Sequence, residues 1–77
     1  MDKRYEHVRT YLLEHSEPFN SLHAKHRRLD QQIEKLEQKK ALTTQERMDI
    51  KALKRKKLYL KDQLEDMILA HMQKQTP

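Results

Sequence analysis

Seventy-seven residues leave room for one small domain, and the absence of glycine and cysteine excludes a phosphate-cradling glycine loop, a disulfide framework, a thiolate metal site and a thiol nucleophile. Charged side chains make up 38% of the chain against 35% hydrophobic, and 17 Lys and Arg against 12 Asp and Glu leave a net charge of +5. Such an excess permits contact with phosphates without demanding it. Met1 to Thr10 lacks the apolar run of a signal peptide, and no later stretch approaches the roughly 18 apolar residues of a membrane span. A cytoplasmic protein without membrane contact is expected.

The first predicted element is a short helix over 3–15, with Tyr5, Val8 and Leu12 on one side, Tyr11 beside them and Asp2 available as N-cap. Ser16-Glu17-Pro18 punctuates the chain, since proline is tolerated in a first helical turn and costly inside a helix, so a second helix restarts there and runs over 17–40. Within it Phe19, Leu22, His26, Leu29, Ile33 and Leu36 follow one another at alternating steps of three and four, a heptad seam interrupted only by His26. A third helix is predicted over 44–72, where Ile50, Leu53, Lys57, Leu60, Leu64 and Met67 repeat the alternation, with Lys57 and the terminal His71 as its polar members.

Between the seams, Thr43 followed three residues later by Glu46 has the pattern of a capping box, which starts a new helix. The heptad frame also runs in register from Leu36 through Lys40, Thr43 and Arg47 to Ile50, so one continuous helix is formally allowed. Seam polarity decides against it: a continuous helix places three polar residues in succession at core-facing positions, whereas a turn sends them into solvent.

Folding the chain back near Thr43 sets Leu36 against Ile50, Ile33 against Leu53, Leu29 against Lys57, His26 against Leu60, Leu22 against Leu64 and Phe19 against Met67. Each polar interruption then meets a leucine. Lys57 can lay its methylene stem on Leu29 and send its ammonium to the rim, where Asp30 lies close enough to pair with it. The expected fold is therefore all-α, an antiparallel two-helix hairpin of coiled-coil type preceded by a short helix, with 1–77 as one domain.

The residues Phe19, Leu22, His26, Leu29-Asp30 and Ile33 form the pattern F-x-x-L-x-x-x-H-x-x-L-D-x-x-I, and Lys57 to Asp62 reads K-L-x-L-K-D. Together they resemble the YdcH-like family of small bacterial proteins, and the stretch from Tyr5 to Pro18 looks like that family's amino-terminal lead. The resemblance implies a short helical hairpin of unknown biochemical function and carries over no catalytic residue.

Five histidines (His7, His15, His23, His26 and His71) invite a metal or acid–base reading, and His23 and His26 lie three apart on one helix. Two ligands do not make a site that wants about four, so structural or surface roles are expected, with no metal, cofactor, small-molecule substrate or enzyme activity. The basic run Lys51, Lys54, Arg55, Lys56, Lys57 and Lys61 is spread around its helix rather than gathered into one stripe, and Tyr59 is its sole aromatic neighbour. Leu58 and Leu69 fall off the main seam on a shared second face with no cover of their own.

A single core of this size supplies roughly 3 to 5 kcal/mol, and without disulfides association is the natural supplement. The expected function is a non-catalytic protein–protein interaction or assembly module that self-associates or takes a helical partner on Leu58 and Leu69. The alternative is weak, sequence-nonspecific nucleic-acid binding.

Overall fold

Chains rich in Leu, Lys, Glu, Gln and Arg and free of glycine are strong helix formers. The computed structural model, which describes residues 3–74, is helical over Lys3–His15 (α1), Glu17–Glu37 (α2) and Thr44–Lys74 (α3), with no strand among the described residues. Asp2, the expected cap of α1, lies outside them.

The junction between α1 and α2 is one residue long. Ser16 is extended (φ −113°, ψ 110°), its hydroxyl accepts from the Phe19 N–H at 3.3 Å, and its own N–H donates to the Leu12 carbonyl at 2.8 Å. Pro18 thus sits in a first turn, where its missing N–H costs no helical bond. Across the junction the Asn20 amide donates to the Leu13 carbonyl at 2.7 Å, which satisfies one of the acceptors orphaned at the end of α1.

The second helix stops at Glu37, three residues short of the predicted 40. The Lys39 N–H donates to the Leu36 carbonyl at 3.2 Å, an i to i−3 bond that tightens the last turn before the chain bends through 39–41. The next helix is already nucleated a few residues on. Glu46 N–H donates to Thr43 Oγ1 at 3.0 Å while Thr43 N–H donates to Glu46 Oε1 at 3.1 Å, a complete capping box, and Lys39 Nζ reaches the same carboxylate. Thr43→Ala should cost about 1 kcal/mol and, in a chain this short, lower the melting temperature by about 4–8 °C in a thermal circular dichroism scan. An unchanged melting point would mean that Lys39 and Glu46 hold the turn without the box.

The third helix persists to Lys74, two residues beyond the predicted end, and its last turn is engaged by α1: the Arg4 guanidinium donates to the Met72 carbonyl at 2.9 Å, and the Tyr11 ring stacks on His71 at 5.2 Å. All three helices meet in one cluster of buried residues, Val8 and Leu12 from α1, Phe19 from α2, Leu64 and Ile68 from α3, with Tyr5, Leu13, Leu22, Met67 and Met72 packed around it. Further along, α2 and α3 pack on each other alone. There only Ile33 and Ile50 are buried, while Leu29, Leu36, Leu53 and Leu60 stay partly open. The molecule is a rod of 54 × 23 × 17 Å, with its three-helix core at one end.

Candidate functional site

Along one side of the α2–α3 contact, carboxylates on α2 meet ammonium groups on α3. Lys57 Nζ donates to Asp30 Oδ1 at 2.8 Å, and Lys54 Nζ lies 3.3 Å from Glu37 Oε1. Both pairs are open to solvent, with side-chain exposures of 34% and 57% for Lys57 and Asp30, so their Coulombic contribution is screened. Lys57 is half-buried at its seam position, and its ammonium meets the exposed Asp30 carboxylate. Two members of the basic run are thereby neutralised, whereas Arg55 and Lys56 line the opposite side of the same helix pair.

Where α1 crosses this ion-paired side, a cleft of about 320 Å³ opens between the three helices. Tyr5, Glu6 and Arg9 of α1 face His23 and His26 of α2 and Lys57, Lys61 and Glu65 of α3 over a floor of Phe19, Leu64 and Ile68. Burial, and then the Glu65 carboxylate, push the Tyr5 phenol above its usual range. Burial also holds the His23 imidazole below its ordinary 6.5, helped by Arg9, Arg27 and His26. The Nε2 of His26 is buried with no hydrogen-bond partner among the described residues. His7, His15 and His71 lie elsewhere, and no group of three or more His, Asp or Glu that could hold a metal occurs among the described residues.

These shifts fix the sign of the acid response. A histidine depressed when folded resists a proton that the unfolded chain accepts, so stability is complete above pH 6.5 and declines as the pH falls below it. Asp30 is lowered from 3.8 by its hydrogen bond from Lys57 and then by that lysine's charge. Glu46 is lowered from 4.5 by hydrogen bonds from Lys39 and the Thr43 N–H. Their contribution is complete above those values and is lost as the pH falls through the lowered folded ones. The melting temperature should therefore fall in two stages on acidification, and His23→Gln should remove the first. A wild-type profile that is flat between about pH 7 and 5 would contradict the burial of His23.

The predicted partner face is exposed: Leu58 at 59% and Leu69 at 49%. Sequence periodicity missed the contribution of Ile68, which is 1% exposed, because the three-four frame steps from Leu64 to Met67 and His71. The signal that finds it is the i, i+4 row Leu64, Ile68, Met72, the face that α1 needs.

Fold and site together define a small all-helical protein, without a helix among the described residues long and apolar enough to cross a membrane. The sequence model of the family described as "Protein of unknown function (DUF465)" matches residues 19–68, well over half of the chain, and the protein belongs to that family. The YdcH-like pattern of Phe19 to Ile33 and Lys57 to Asp62 is consistent with this membership. No curated protein and no solved structure matches.

Proposed function

We propose that α2 and α3 act as an antiparallel helical hairpin, steadied at its open end by α1, and that the hairpin is a non-catalytic cytoplasmic module for protein–protein interaction or assembly. The order of the cross-helix contacts supports the antiparallel sense, because Asp30 meets Lys57 while the later Glu37 meets the earlier Lys54. The observation that carries the interaction role is the exposure of Leu58 and Leu69, eleven residues and three helical turns apart on one face of α3. Two leucines about 16 Å apart along a helix match the spacing at which a partner helix inserts its own apolar residues.

A second copy of the chain or another helical protein fits this face. Sedimentation at micromolar concentration should show self-association, weakened at least about tenfold by Leu58→Gln with Leu69→Gln, exposed changes that leave the core intact. A chain that remains monomeric and binds no helical partner through these leucines would overturn the proposal.

A further inference from the structure

The two sides of the α2–α3 contact differ in charge. One rim pairs acid with base, through Asp30 with Lys57 and Glu37 with Lys54. On the other, Lys25 and Arg28 of α2 stand across a groove of about 570 Å³ from Arg55 and Lys56 of α3. No carboxylate lines that groove, and none of these four cations is ion-paired with a described residue. Its floor is Leu29 and Leu60, both only partly buried, with Tyr59 at 63% exposure on the wall. A second groove, of about 510 Å³, shares Gln32 and Lys56 with the first and carries the furrow on to Leu36 and Leu53, with Lys35 and a single carboxylate, Asp49, on its walls. From Lys25 to Leu36 the furrow spans about 17 Å, three turns of helix.

From this juxtaposition we infer that the furrow is a docking site for an acidic amphipathic helix, which would lay an apolar stripe on the leucine floor and set Asp or Glu side chains against the basic rims. Cations facing cations across a groove repel one another, and a carboxylate-bearing occupant converts that repulsion into attraction while it covers the half-buried leucines. The charge argues against a second copy of this chain as the occupant, because its net charge is +5. A nucleic acid would satisfy the cations but not the floor: phosphates gain nothing from leucine, and one tyrosine gives a single stacking surface. The inference rests on the packing of α2 against α3 and not on the Leu58 and Leu69 face.

Fluorescence anisotropy with the full chain tests it. The main probe is a labelled peptide of about 14 residues with leucines on one helical stripe and glutamates flanking it. Beside it run a scrambled peptide of the same composition, the same stripe flanked by lysines, and a single-stranded RNA of equal charge. The acidic amphipathic peptide should bind at least about tenfold more tightly than each of the others, and more weakly as salt is raised. Arg28→Glu with Arg55→Glu, both at exposed positions, should weaken it at least about tenfold while the circular dichroism spectrum stays that of the wild type. Leu58→Gln with Leu69→Gln should leave it unchanged. Equal binding of the scrambled peptide, tighter binding of the RNA, or loss of binding in the Leu58 and Leu69 variant would each overturn the assignment, whatever the sedimentation result for that other face.

Discussion

Phe19→Ala should leave most of the chain unfolded at 25 °C. Its ring is 1% exposed and lies in the one cluster where all three helices meet, against Val8, Leu12, Leu64 and Ile68. Deleting a buried phenylalanine costs about 3–5 kcal/mol through lost transfer energy and the cavity left behind. A chain of this length has about 3–5 kcal/mol of core stability altogether, so the substitution removes nearly all of it. Far-ultraviolet circular dichroism with a urea titration reads the result directly: the variant should lose its cooperative transition. A variant that melts cooperatively within a few degrees of the wild type would show that the α2–α3 contact around Ile33 and Ile50 stands without the three-helix cluster.

The dependence on Phe19 follows from the way apolar surface is distributed. Two helices packed along a heptad seam bury only a narrow stripe, and Leu29, Leu36, Leu53 and Leu60 accordingly remain partly open. Beyond Ile33 and Ile50, a buried cluster needs a third element. It is supplied at the end where α1 contributes Val8 and Leu12.

The all-helical character was legible because every device that specifies a helix is written locally. Ser16 and Pro18 begin α2, Thr43 and Glu46 begin α3, and the three-four spacing names the apolar positions. What the spacing could not supply was the side of each helix turned to a third partner. A heptad frame assumes a single seam, so it places Met67 and His71 after Leu64, whereas the approach of α1 widens the covered arc of α3 to take in Ile68 and Met72 beside Met67. The early end of α2 was hidden for a related reason: Gln38 to Lys40 are good helix formers, and only the i to i−3 bond of Lys39 and its reach to Glu46 divert them into the turn. The split of the basic run was half legible: the pairing of the two seams set Asp30 beside Lys57, but a helical wheel did not disclose the Glu37 carboxylate that α2 holds in front of Lys54.

His26→Leu should stabilise the protein. The imidazole occupies a seam position between Leu22 and Leu29, and its Nε2 is buried without a hydrogen-bond partner among the described residues. A buried polar group left unsatisfied costs about 1–3 kcal/mol, and leucine removes that cost while adding apolar surface to the cleft that Leu64 floors. A gain of about 1–2 kcal/mol is expected, which raises the melting temperature by about 4–8 °C for each kcal/mol in a domain of this size. His26→Gln, which keeps a polar group at the same place, should bring no such gain, and a fall in stability with leucine would mean that Nε2 is hydrogen-bonded in solution. The histidine therefore sits where the chain departs from its own hydrophobic pattern, in a cleft lined by the cations Arg9, Lys57 and Lys61 and by the carboxylates Glu6 and Glu65. Departures of that kind concentrate at positions kept for something other than stability.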